Sequence, residues 1–165
     1  MITIGSTTAS IQIQLSGSVA TNECPWAASW VEVTSVTYAY APNETDGTTN
    51  GAAAVTVVDS PIAGNTRSLK SFFLRNSDTA PVIIKVIYNT GSTLREFYST
   101  SLNSGDCLQY TDTDGFFVTD SLGQCKQVGG NTGAPGVQGN QGGSGQTGVQ
   151  GNQGNVGTGT QGNQG

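Results

Sequence analysis

Apolar and polar residues alternate with a period of two over most of the first 126 positions. Ile11-Gln12-Ile13-Gln14-Leu15 and Val36-Thr37-Tyr38-Ala39-Tyr40 show it most clearly. Strict alternation puts one set of side chains on each face of an extended strand, so each run predicts a half-buried β-strand. Further runs predict strands over Trp30 to Thr34, Ala54 to Asp59, Leu69 to Arg75, Val82 to Tyr88 and Leu94 to Tyr98, with short ones at Cys107 to Tyr110 and Phe116 to Thr119. All are rich in Val, Ile, Thr, Tyr and Phe, which suit a pleated surface. Turn residues separate them: Asn50-Gly51, Asn89-Thr90-Gly91, Ser104-Gly105 and Asp112-Thr113-Asp114-Gly115. No window holds a helical period.

Three segments carry more specific expectations. Val82-Ile83-Ile84-Lys85-Val86-Ile87-Tyr88 is almost continuously apolar, which predicts a central strand covered on both faces, with Pro81 placed where a strand tolerates it. Ala41 to Gly51 is polar and rich in Asn, Thr and Gly, which predicts an exposed loop. Ile2 to Leu15 is apolar at alternate positions, which predicts a strand in its own sheet or one added to a neighbouring protein. About nine short strands at this spacing give an all-β fold, an antiparallel β-sandwich or jelly roll.

Beyond residue 126 the period becomes three. Glycine occupies Gly130, Gly133, Gly136, Gly139, Gly142, Gly145, Gly148, Gly151, Gly154 and Gly157 without interruption. After a two-residue unit, Gly157-Thr158, the period resumes at Gly159, Gly162 and Gly165. Three polyproline-II chains wound together leave no space at their axis for a side chain, so every third residue must be Gly. A flexible linker has no reason to keep that register. The pattern predicts a collagen-like triple helix over residues 127–165, extending about 100 Å from Gly130 onward at ~3 Å per residue. These glycines are its axis positions, and winding is expected to loosen at Gly157-Thr158. Only Pro135 preorganises the X and Y positions, which are otherwise mainly Asn, Gln, Thr and Val. So weak a helix needs residues 1–126 to trimerise first and hold three tails at high effective concentration. The chain stops on a repeat-opening glycine, and the repeat is expected to continue beyond Gly165.

Composition sharpens this division. Glycine supplies 15 of the 37 residues from Gly129 to Gly165 but nine of the first 128, and all six basic and eleven acidic residues lie at or before Lys126. The net charge of −5 and the lack of a basic run argue against nucleic acid as a partner. No apolar run approaches the roughly 20 residues that span a bilayer. The N-terminus lacks a basic region followed by a long apolar stretch, which predicts a product assembled in the cytoplasm.

Candidate chemistry is sparse. With no histidine, zinc sites and the usual activated serine nucleophile are disfavoured. Cys24, Cys107 and Cys125 cannot all pair within one chain, and are expected as reduced thiols, with an interchain bond at Cys125 as the alternative. Asp112-Thr113-Asp114-Gly115, with Asp106 and Asp120 nearby, resembles part of a calcium loop but lacks a third ligand position and the terminal Glu, and a hairpin turn accounts for it. Scattered carboxylates give no catalytic pair, so the protein is expected not to be an enzyme and to need no cofactor or metal. Trp26 and Trp30, with Ile2 and Ile4, are candidates for core packing or for a particle or subunit interface.

A further set of segments resembles a β-domain of virion proteins from tailed bacteriophages. They are Ile11 to Leu15, Ala54 to Val58 with Pro61, Arg67 through Arg75-Asn76-Ser77-Asp78-Thr79-Ala80, and Ser104 to Asp112 leading into Gly115-Phe116-Phe117-Val118. The likeness covers roughly residues 10 to 165, including the collagen-like stretch after the last strand. Where that group often carries Trp after the Asp-Gly turn, this chain has Phe116 and Phe117. The resemblance implies a non-enzymatic trimeric fibre or decoration protein, attached by its β head to the capsid with the rod pointing outward. Attachment at the tail or neck is a second expectation. Recognition of a host-surface glycan, with Ala41 to Gly51 in contact, is a third.

Overall fold

A computed structural model describes residues 1–126 of the chain. The glycine-repeat positions from Gly130 to Gly165 lie outside the described residues. Eleven strands form: β1 (Ile2–Ile4), β2 (Ser10–Leu15), β3 (Pro25–Thr34), β4 (Tyr40–Thr48), β5 (Val55–Val58), β6 (Asn65–Arg75), β7 (Val82–Asn89), β8 (Leu94–Leu102), β9 (Cys107–Thr111), β10 (Gly115–Thr119) and β11 (Cys125–Lys126). There is no helix among the described residues, and every strand pairing is antiparallel. The all-β expectation is met.

The larger sheet runs β11-β10-β9-β6-β3-β4, and the smaller runs β5-β2-β7-β8. β6 is long enough to hold two partners end to end on one edge. Its first half pairs with β1 (Ile2↔Leu69, Ile4↔Arg67) and its second with β9 (Ser71↔Thr111 to Arg75↔Cys107). The N-terminal strand is thus part of its own sheet.

One core lies between the sheets, as in a β-sandwich. β2, β5 and β7 contribute Ile11, Ile13, Leu15, Val57, Val58, Ile84 and Val86; β3, β6, β9 and β10 contribute Trp26, Ala28, Trp30, Leu69, Phe72, Leu74, Leu108, Tyr110 and Val118. Burying one large side chain contributes about 1.5–3 kcal/mol, so this shared face dominates the stability. The outward residues of β2 bond across the surface instead: Gln12 Nε2 donates to Thr56 Oγ1 at 3.3 Å and Gln14 Nε2 to the Ala52 carbonyl at 2.5 Å.

Three expectations are corrected. Ala41 to Gly51 is not a loop: most of it is β4, which pairs with β3 from Pro25↔Thr48 to Val33↔Tyr40. Its inward positions are Asn43, Thr45 and Gly47, so no apolar period marks it. A polar edge strand also resists pairing with another chain. Val36 to Ala39 form the β3–β4 turn rather than a strand, and only Tyr40 is paired, as the first residue of β4. Tyr38 has φ 52°, its N–H donates to the Thr34 carbonyl at 3.0 Å, and the Thr34 and Thr37 hydroxyls bond at 2.6 Å. Finally, β7 is central in its sheet, but only one face meets the core. Ile83 is 45% exposed, and Ile87, though buried, lies outside the core between its register partners Gln12 and Glu96.

A β-bulge shapes the open end of the sandwich. Val86 pairs with Tyr98 and Ile87 with Glu96, leaving Phe97 as the extra residue on β8. Both Phe97 and Tyr98 consequently reach the Phe116 ring of the other sheet, at 6.0 and 4.4 Å between centroids.

Candidate assembly site

The four apolar candidates do not make a common surface. Ile4 is 0% exposed, Trp26 6% and Trp30 7%, and Ile2 packs partly buried against the core. Their burial is within the chain. The reading of Ile4, Trp26 and Trp30 as an interface therefore gives way to core packing, because the inner face of the larger sheet, which they occupy, is already covered. Trp30 is roofed by the Arg67 guanidinium, 4.4 Å from its ring centre, which also pairs with Glu32 at 3.1 Å. Gly47 lies flat on Trp26: a Cβ there would sit 3.0 Å from the indole.

The Asp-rich turn is the β9–β10 hairpin. Gly115 takes φ 76°, Asp114 Oδ2 accepts the Thr111 hydroxyl at 2.8 Å, and the Asp112 carboxylate pairs with Lys70 at 2.7 Å. That hydrogen bond holds the Asp112 carboxyl below its ordinary range. Among the described residues no three His, Cys, Asp or Glu side chains come close enough to hold a metal ion.

A buried polar network ties together the loops at one end of the sandwich. Asn76 is 0% exposed; its Nδ2 donates to the carbonyls of Ala80 and Leu102, each at 3.0 Å, and its Oδ1 accepts the Asp78 N–H at 2.9 Å. The Asp78 carboxylate accepts the N–H groups of Ala20 and Thr21 and the Thr21 hydroxyl, all at 2.7 Å. Those bonds, the Ala20 N–H foremost, hold its carboxyl far below the usual range against the opposing effect of burial. Cys24 packs beside Asn76, and burial pushes its thiol up.

The network extends to the last described strand. The Asp106 carbonyl accepts the Asn76 N–H at 2.8 Å; its carboxylate accepts the Asn103 N–H at 2.8 Å and pairs with the Lys126 ammonium at 2.6 Å. Asp106 is nearly buried, so Lys126 is anchored rather than left to solvent. The preceding turn is closed by Asp120, whose Oδ1 accepts the N–H groups of Leu122 and Gln124, each at 2.9 Å, while Gly123 supplies φ 82°. β11 then pairs with β10 through Val118↔Lys126 and Thr119↔Cys125. The position at which the chain leaves the sandwich is thereby fixed. Leu122, 81% exposed, and the exposed Cys125 flank it.

Comparison with protein-family models, with curated proteins and with solved structures finds no match to this chain. The functional reading therefore rests on the residues themselves. Sequence reasoning singled out neither Asn76 nor Lys126 as functional, and weighed Asp106 only as a neighbour of the Asp-rich turn. The one signal available was that Lys126 is the last charged residue before the uncharged repeat.

Proposed function

We propose that this chain is a non-enzymatic structural fibre protein: a trimeric β head followed by a collagen-like rod, carried on a tailed-bacteriophage particle. The observation that carries the reading is the run of ten glycines in unbroken register, which only a three-chain helix requires. The head supports it in two ways. Its antiparallel sheets share one well-filled core, and its last strand is clamped by Asp106 and Asp120, a fit mount for a stalk. The partners in this reading are two further copies of the chain and a capsid protein that seats the head. Light scattering on the full chain should give three times the 16.9 kDa chain mass; a monomer would refute the trimer. A particle reconstruction or immunogold labelling should then place the head on the capsid, and label confined to the tail or neck would move the attachment there.

A second reading, recognition of a host-surface glycan, draws on one observation. A shallow groove of about 290 Å³ runs along β4 on the outer sheet face, with Ala27, Ser29 and Ser71 as its floor and Glu44, Asp46 and the exposed ring of Phe73 along its sides. A small-residue floor beside an aromatic ring and two carboxylates suits a sugar. A glycan array probed with the full chain tests it, and absence of binding removes it.

A further inference from the structure

The outer face of the larger sheet carries a trough that follows β3. Its floor is the outward side chains of that strand, Ala27, Ser29, Val31 and Val33, none larger than valine. Bulkier residues in register wall it: Asp46, Glu44, Pro42 and Tyr40 on β4, and Phe73 on β6 opposite Ala27. A bulge leaves Lys70 as the extra residue on β6 and brings it to the same trough, where it pairs with Asp112 at 2.7 Å. Three hollows of about 290, 480 and 280 Å³ lie along the trough; the first two share Ser29 and Glu44, and the last two share Val31 and Lys70. From Ala27 to Val33 it runs about 20 Å at ~3.3 Å per residue. The Phe73 ring, 42% exposed, stands at one end and the Tyr40 ring, 75% exposed, at the other.

The chemistry of the trough selects its occupant. β3 is bonded to β4 on one side and to β6 on the other, so its backbone groups are taken and no peptide can add to it as a strand. Recognition must run through side chains. Glu44 and Asp46 are exposed, and the ion pairs among the described residues use other acids: Glu32, Asp59, Glu96, Asp106 and Asp112. These two carboxylates near the Phe73 end repel a polyanion, and the Lys70 ammonium in the middle disfavours a polycation, so the trough suits an uncharged chain. The Ser29 and Ser71 hydroxyls bond to each other at 2.7 Å and keep lone pairs that accept further bonds. Acceptors set between two exposed rings match a sugar chain, whose C–H faces stack on rings and whose hydroxyls donate to carboxylates.

We infer that the trough binds a linear, uncharged polysaccharide lengthwise, the chain stacking on Phe73 and Tyr40 and donating hydroxyls to Glu44 and Asp46. This rests on the glycan reading above and extends its short groove to the length of β3; the test separates the two. An array of neutral linear oligosaccharides, graded from disaccharide to hexasaccharide, is probed with the full chain beside alginate oligomers and oligolysine. At least one neutral series should bind, its affinity rising about tenfold or more with length, and the two charged polymers should not. Phe73→Ala should weaken every length of that series. Tyr40→Ala, at the far end, should cost the hexasaccharide about tenfold and leave the disaccharide unchanged, while Tyr40→Phe, which keeps the ring, should bind as the parent does. An unchanged tryptophan unfolding transition checks that the variants fold. Affinity that does not grow with length, or that is indifferent to Tyr40→Ala, overturns the trough and leaves the short groove standing. Binding of alginate or oligolysine in place of neutral sugars overturns the uncharged occupant. No sugar bound at any length overturns both readings.

Discussion

Replacing Asn76 by alanine tests whether the buried polar network holds the head together. The side chain is fully buried and satisfies three backbone groups: the carbonyls of Ala80 and Leu102 and the N–H of Asp78. Alanine reaches none of them. A buried polar group stripped of its partner costs about 1–3 kcal/mol. The bonds to Leu102 and Asp78 are buried and that to Ala80 partly so, so the Ala80 carbonyl recovers some of its loss from water. The expected destabilisation is about 3–5 kcal/mol, a large share of the roughly 5–15 kcal/mol by which domains are stable. Urea unfolding of the full chain reports it through Trp26 and Trp30, whose fluorescence should shift as the core opens. With a slope of about 1–3 kcal/mol per molar urea, the midpoint should fall by roughly 1–5 M. Protein concentration must be held constant, because assembly shifts the midpoint by mass action. Ser92→Ala, in an exposed turn, should change stability by less than about 0.5 kcal/mol. A loss below about 1 kcal/mol for Asn76→Ala would show that water or rearranged loops satisfy those groups, and that the network is not a source of cohesion.

The remaining predictions concern pH, thiols and the repeat. The Asp78 carboxyl titrates lower in the folded chain than its ordinary value of 3.8, so its contribution is fully present above that value and is lost as pH falls through the folded one. The urea midpoint should hold steady from neutral pH down to about 5 and drop below about 4; Asp78→Asn should lower the neutral midpoint and flatten that drop, and an unchanged acid slope would remove Asp78 as its source. A coloured thiol reagent should titrate Cys125 quickly, Cys107 slowly and Cys24 only on unfolding, because Cys24 is fully buried and its thiol pushed up; rapid loss of all three thiols would contradict the core. Gly145→Ala should lower the temperature to which residues 130–165 resist protease while leaving the tryptophan transition in place, and equal resistance would argue against a triple helix.

Most strands were legible because their alternation reports directly which face meets the core. Ile11, Ile13 and Leu15 on β2 are inward, and Gln12 and Gln14 are outward. β4 was not legible, because an edge strand whose inward positions are Asn43, Thr45 and Gly47 carries no apolar period. What matters there is that Gly47 lets the backbone lie against Trp26, a contact between residues 21 positions apart. Val36 to Tyr40 misled for the opposite reason: its alternation is real, but Thr34, Thr37 and a left-handed Tyr38 close a turn over all of it except Tyr40. The site was the least legible part. Asn76, Asp106 and Lys126 meet only because β6, β9 and β11 bring loops from distant parts of the chain to one end of the sandwich, and no local pattern encodes that meeting.

The two-residue strand β11 also determines how the protein bears load. A pull on the chain beyond Lys126 reaches the head through only two register pairs, backed by one ion pair and the Asp120 turn. Two pairs hold far less than the five that join β10 to β9, so this joint should open before the sheet behind it. Once the force is released, Lys126 can find Asp106 again, so in the fibre proposed above β11 would act as a resettable mechanical fuse.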